Sequence, residues 1–101
     1  MNLPDIIHIY SGSVDMRKGL HGLLILVEAE FNLSSLKEEM FLFSNRTRNL
    51  VKGVYWDRTG YCILSKKLEN SRFKIPKKGS HQEVDRESLR LIMDGIAIFN
   101  D

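Results

Sequence analysis

Ten basic side chains crowd the stretch from Asn45 to Lys78: Arg46, Arg48, Lys52, Arg58, Lys66, Lys67, Arg72, Lys74, Lys77 and Lys78. Only Asp57 and Glu69 oppose them there. The stretch therefore carries a net +8, while the other residues, with five bases and eleven acids, carry −6. The formal +2 of the whole 101-residue chain hides this segregation. Ammonium and guanidinium groups neutralise phosphates, and the interleaved rings of Tyr55, Trp56, Tyr61 and Phe73 offer faces for bases or sugars. A field of one sign also concentrates a polyanion and speeds encounter with it. The competing reading is a solvated basic face that only keeps the protein soluble.

Arg17 and Lys18 add two bases outside that stretch, in the segment Val14-Asp15-Met16-Arg17-Lys18-Gly19. The segment is expected to form the first turn of a helix. There the dipole favours Asp15 and opposes both bases. Bases held against a dipole imply either an outside anion such as phosphate or an internal ion pair, and both readings stand.

Covalent and metal chemistry find less support. His8, His21, His81 and Cys62 show no zinc-site spacing. Asp15, Asp57 and Glu69 are scattered, each beside a base, whereas a metal-dependent nuclease needs two or three converging carboxylates. Gly19 and Gly22 lack the strand–turn–helix context and the Lys-Ser/Thr pair of a phosphate loop. The expectation is a non-catalytic protein with no metal and no cofactor.

The elements that must position these bases read as follows. Ile6 to Tyr10 is β-branched and aromatic, a strand. Met16, Leu20, Leu23, Leu24, Val27 and Phe31 recur at helical spacing, predicting one long amphipathic helix from about Val14 to Phe31, capped by Ser13 or Asp15. Residues 32–39 read as loop with a short helical turn. Strands follow at Met40–Phe43, Leu50–Trp56 and Tyr61–Leu68, and the link at residues 44–49 puts Arg46 and Arg48 at a hairpin tip. Asp57-Arg58-Thr59-Gly60 has the Asp-first, Gly-fourth preference of a type I turn. A short fifth strand is expected at Arg72–Ile75, ended by Pro76, and residues 77–82 read as a linker. Asp85 then caps a short helix through Met93. Val84 and Leu89 sit at staple positions, and Gly95 acts as the stop. The predicted architecture is a single α+β domain over residues 1–101: an antiparallel β-meander with one long N-terminal helix and a short C-terminal helix.

Alternation within the third strand puts Leu50, Val54 and Trp56 on one side and Val51 and Tyr55 on the other. The apolar company of Trp56 predicts a core anchor rather than a stacking platform. The longest apolar run, Gly22 to Val27, is far too short for a membrane span. The N-terminal residues lack the features of a secretion signal. A lone cysteine fits a reducing cytosol, so a cytoplasmic location is expected and Cys62 reads as core packing.

Several ordered motifs carry a resemblance over nearly the whole chain. They are Val14-Asp15-Met16-Arg17-Lys18-Gly19; Phe41-Leu42-Phe43 with Asn45, Arg46 and Arg48; Lys52; and Tyr55-Trp56-Asp57 with Gly60-Tyr61. Lys67-Leu68-Glu69 with Arg72-Phe73 and Pro76 follow, then Leu89, Leu91 and Gly95-Ile96. In these the chain resembles the small TnpB-type accessory proteins, second open reading frame products of the insertion sequence sixty-six family of bacterial transposons. It departs from them at Ser44, Thr47 and Leu50, where relatives carry a denser arginine run, and at Ile75, where a tryptophan is frequent.

The resemblance implies a role in transposition beside a separate transposase and another small protein. Together with the charge pattern it predicts binding of DNA, of the transposase, or of both. The expected phosphate contacts are Arg17, Lys18, Arg46, Arg48, Lys52, Arg58, Lys66, Lys67, Arg72 and Lys74, although alternation cannot bring all of them to one face. Two other readings stay open: an adaptor that docks proteins without touching DNA, and a nuclease subunit using Asp57.

Overall fold

The computed structural model describes residues 3–31, 38–77 and 79–99. The expected loop and helical turn after Phe31 fall largely on residues 32–37, outside the described residues, as does Lys78 of the basic stretch. The elements are β1 (Ile6–Ser13), α1 (Leu20–Glu30), β2 (Glu39–Ser44), β3 (Leu50–Asp57), β4 (Gly60–Lys67), β5 (Gln82–Val84) and α2 (Arg86–Met93).

Five strands form one sheet in the order β4-β3-β2-β1-β5. β2, β3 and β4 are antiparallel neighbours, as expected of a meander. β1, however, pairs with β2 in parallel, Ile7 beside Met40 and Ile9 beside Leu42. Parallel neighbours need a crossover, usually a helix, and α1 lies between these strands in the chain. The sheet is therefore mixed, and the antiparallel meander expected from the sequence is corrected to a β1-α1-β2 unit continued by two hairpin-linked strands.

The two helices are both short, and the expected long helix is corrected as well. α1 begins six residues later than the periodicity suggested, with Gly19 at its N-cap and no side-chain cap. Residues 14–19 form a separate loop. Val14 N donates to Ser44 O at 2.9 Å, tying that loop to the end of β2.

The alternation along each strand splits the core in two. Ile7, Ile9, Met40, Leu42, Val51 and Tyr55 face one side and pack with Phe73, Leu89 and Ile92, so α2 and the segment around Phe73 cover this face. Phe41, Phe43 and Val54 face the other side and pack with Val14, Leu23 and Val27 beneath α1. The expected strand at Arg72–Ile75 is instead a strap in extended contact with the first face. Phe73 N donates to Arg48 O at 2.7 Å, and further along Gly79 N donates to Ser11 Oγ at 2.9 Å. The fifth strand is β5, paired antiparallel to β1.

Trp56 is only half-buried, with its ring edge-on to Tyr61 at 4.8 Å between centroids. The large ring sealed in the core is its neighbour Tyr55. Cys62 is half-buried and packs against the first core, as expected.

Candidate nucleic-acid interface

Parallel pairing of β1 with β2 and antiparallel pairing of the rest fix which chain ends meet. The end of β1, the β2–β3 hairpin loop and the end of β4 all reach the same edge of the sheet, since Ser13 lies beside Ser44 and Leu50 beside Lys67. The strap then crosses this edge from Arg48 to Ser11. The topology so gathers Arg17, Arg46, Arg48, Lys52, Lys66, Lys67, Arg72, Lys74 and Lys77 at one end. The opposite end holds Asp5, Glu39, Asp57, Asp85 and Glu87, at the start of β1 and β2, at the β3–β4 turn and at the start of α2. Arg58 and Arg86 also lie at that opposite end, and Asp15 and Asp94 at the basic end, so the charge is segregated along the strands only in part.

Within the basic end the cations divide into those that build it and those that face outward. Arg48 builds. It has a positive φ of 60°, which turns its side chain back over the hairpin. Its guanidinium donates to Ser11 O at 2.8 Å, to Gly12 O at 3.2 Å, and to Ser44 Oγ. Burial lowers its pKa, a desolvation effect that these acceptors do not reverse. Asn45 shapes the same loop: its Oδ1 accepts from Asn49 N at 3.0 Å and Leu50 N at 3.1 Å. Lys52 also builds, its Nζ donating to Met16 O at 2.7 Å and Lys18 O at 3.3 Å, which pins the 14–19 loop to β3.

In that loop an internal ion pair forms at one of the two bases, Arg17. Arg17 forks onto Asp15, with Nη2 to Oδ2 at 2.7 Å and Nε to Oδ1 at 3.0 Å, while Arg17 N donates to Oδ1 at 2.9 Å. The side-chain hydrogen bonds of Arg17, then its backbone N–H, hold the Asp15 carboxyl down at about 2. An internal ion pair is present, yet the Arg17 side chain stays exposed. The bases precede α1 rather than occupy its first turn, so the dipole conflict expected from the sequence does not arise in the form anticipated. Lys18 lies with its stem along Gly22 on α1, its Cβ 3.2 Å from where a Gly22 Cβ would stand.

Lys66 and Lys67 point to opposite faces, as strand alternation requires. Lys66 approaches Asp94 at 3.6 Å. Lys67, Arg46, Arg72, Lys74 and Lys77 are exposed. Arg46 and Arg48 with Tyr10, Ser11, Gly12 and Ser13 line an open pocket of about 370 Å³. Arg58 stands apart. It occupies the β3–β4 turn with a positive φ of 52°, which excludes the type I turn expected there. The length of β3, roughly 23 Å at about 3.3 Å per residue, separates it from the hairpin tip.

Sequence reasoning missed the joint that anchors the strap. Ser11 is fully buried and its N–H donates to His81 Nδ1 at 3.0 Å; its hydroxyl meets the same nitrogen at 2.9 Å. The His81 ring lies 4.7 Å from that of Tyr10. The apolar anchors Phe73, Ile75 and Pro76 were the available signal that residues 72–77 are laid down on the fold rather than free. Among the described residues no three His, Cys, Asp or Glu side chains converge as metal ligands would. No described helix is long and apolar enough to cross a membrane.

The model of the family described as IS66 Orf2 like protein matches residues 5–100. This chain belongs to that family. Its members are accessory proteins associated with transposition of an insertion sequence, and no catalytic role is known for them. The chain is also similar to two proteins of Sinorhizobium fredii (strain NBRC 101917 / NGR234). It is 30% identical to uncharacterized protein y4hO over 89 residues, 87% of this chain and 77% of that protein. It is 27% identical to uncharacterized protein y4jC over 84 residues, 82% of this chain and 72% of that protein. No solved structure matches.

Proposed function

We propose that this IS66 Orf2-like protein assists transposition by holding the DNA backbone at the basic end of its sheet. The gathering of sequence-distant cations on one edge carries this reading: Arg46 from the β2–β3 loop, Lys67 from β4, and Arg72, Lys74 and Lys77 from the strap. Phosphate contacts of this kind position a duplex without reading its sequence. Arg48 and Lys52 serve the interface by building the loops that present the others. Arg17 flanks it, its charge already shared with Asp15.

Titration of a labelled duplex at several salt concentrations tests the reading. Arg46→Ala combined with Lys67→Ala and Arg72→Ala is expected to weaken binding alike for unrelated sequences. The slope of log affinity against log salt should fall by about 2 to 3, near 0.9 per phosphate contact. Arg58→Ala, at the other end, is expected to leave the slope unchanged. Wild-type protein that fails to shift duplex at low salt, or a triple variant with the parental slope, would defeat the proposal.

A further inference from the structure

One cation at the basic end is held, among the described residues, without a counter-charge. Arg48 is half-buried, and its acceptors Ser11 O, Gly12 O and Ser44 Oγ are all neutral. Desolvation lowers its pKa. A charge kept out of water without a partner is unfavourable, and a bound anion relieves it. The three bonds also leave donors over. Nη1 makes two of them and Nη2 one, so of the five N–H groups Nε–H and one at Nη2 remain. Two such donors on one guanidinium form the fork that grips a phosphate through parallel bonds.

The pocket beside Arg48 has the chemistry of an anion site. Tyr10, Ser11, Gly12, Ser13, Arg46 and Arg48 line it, and no carboxylate does. The fully buried Ser11 lies at its floor, and the exposed Ser13 and Arg46 at its mouth. The ring of Tyr10 lies over Gly12, where a Cβ would stand 2.8 Å from Cε2. The rings of His81 at 4.7 Å and Phe43 at 5.5 Å between centroids hold it there as an aromatic wall. At about 370 Å³ the space is at the lower end of small-molecule sites. It has room for a phosphate and part of the group that carries it.

We infer that this pocket receives the phosphate monoester at the end of a DNA strand, its oxygens held by Arg46 and the free fork of Arg48 and its sugar against Tyr10. An internal phosphodiester carries a single charge and has chain on both sides, which suits the outward cations Lys67, Arg72, Lys74 and Lys77. A terminal phosphate carries close to two charges at neutral pH, matching two guanidiniums. It has chain on one side only and can enter a recess. The inference rests on the DNA-binding reading and adds to it a seat for a strand end.

The test compares affinity for one short duplex bearing hydroxyl ends, a 5′-phosphate or a 3′-phosphate, at a single salt concentration. One phosphorylated form is expected to bind about tenfold tighter than the hydroxyl form. That ratio separates the pocket from the general field. Lys74→Ala, outside the pocket, should weaken all three alike and keep the ratio. Arg46→Ala should bring the ratio close to one. Ser13→Asp, which sets a carboxylate at the mouth, should do the same. Both positions are exposed, so the circular dichroism melt should be retained, and either variant decides if the other fails to fold. A ratio of one in the wild type would overturn the inference and leave the DNA reading intact, whereas a wild type that binds no duplex would defeat both. A ratio that survives both pocket variants would also overturn it. A deoxynucleoside monophosphate that competes as well as the phosphorylated duplex, mole for mole, would assign the pocket to free nucleotides and overturn the strand end as its ligand.

Discussion

The two helices cover opposite faces of the same sheet by opposite means. α2 is specified almost entirely by its own eight residues and their neighbours. Asp85 at the N-cap accepts from Ser88 N at 2.8 Å, Glu87 sits in the first turn and Arg90 in the last, and Leu89 and Ile92 turn inward. Its end is a Schellman motif: Gly95, at φ 80°, donates to Ile92 O at 2.9 Å, and Ile96 N donates to Leu91 O at 3.0 Å. α1 has none of this. It lacks a side-chain cap, an acid in its first turn and a base in its last. What fixes it lies far away in sequence: the cluster of Phe41, Phe43 and Val54 beneath it, and Lys52 gripping the loop that feeds it. One helix is a local object and the other a tertiary one.

That difference divides the predictions. The largest effect is expected where α1 depends on packing alone. Leu23→Ala removes a fully buried side chain and should cost about 2–5 kcal/mol by denaturant unfolding. A loss under about 1 kcal/mol would mean that α1 is held by something other than its buried stripe. Next comes the tether. Lys52→Met keeps the stem but removes two charge-assisted hydrogen bonds to Met16 O and Lys18 O. It should cost about 1–3 kcal/mol and raise hydrogen exchange at the start of α1 before α2 is affected. Equal exchange in both helices would erase the contrast. For α2 the local device should be measurable by itself: Asp85→Ala is expected to lower stability modestly, with α2 fraying first.

The same contrast marks what could be read from the sequence. The cap at Asp85, the stop at Gly95 and the span of α2 were legible because each is a short-range signal. The β2–β3–β4 strands were legible too, since hairpin-linked alternation is local. α1 was misplaced because Met16 fits the 3.6-residue period by coincidence; it belongs to a loop ordered by Asp15 and Lys52. The parallel pairing of β1 carried no sequence signal beyond the helix that follows it. The strap was mistaken for a strand because Phe73 and Ile75 alternate with Arg72 and Lys74, yet its backbone bonds go to Arg48 and Ser11 at two separate places. For the candidate interface, composition revealed the cations but not their division of labour. Arg46 and Arg48 looked equivalent at one loop tip. Only the left-handed turn at Arg48 separates the one that builds from the one that faces solvent.

The smallest effect sharpens the comparison at the entrance to α1, where a local device does exist but outside the helix. Asp15 shapes the 14–19 loop by accepting from Arg17 N and its guanidinium. In the folded chain these bonds hold its carboxyl at about 2, below the ordinary 3.8. A depressed carboxylate pKa means that the unfolded chain takes up the proton first as pH falls. The contribution of Asp15 is therefore complete above about pH 4 and is lost as pH falls towards 2. Both groups are exposed, so the effect on stability should be slight. Asp15→Asn separates the charge from the turn, because the amide oxygen can still accept from Arg17 N while the ion pair is gone. The difference in melting temperature between wild type and Asp15→Asn should be small at pH 5 and shrink towards zero near pH 2. A difference independent of pH would assign the role of Asp15 to the turn alone. The approach to α1 would then be held by Lys52 without help from the ion pair.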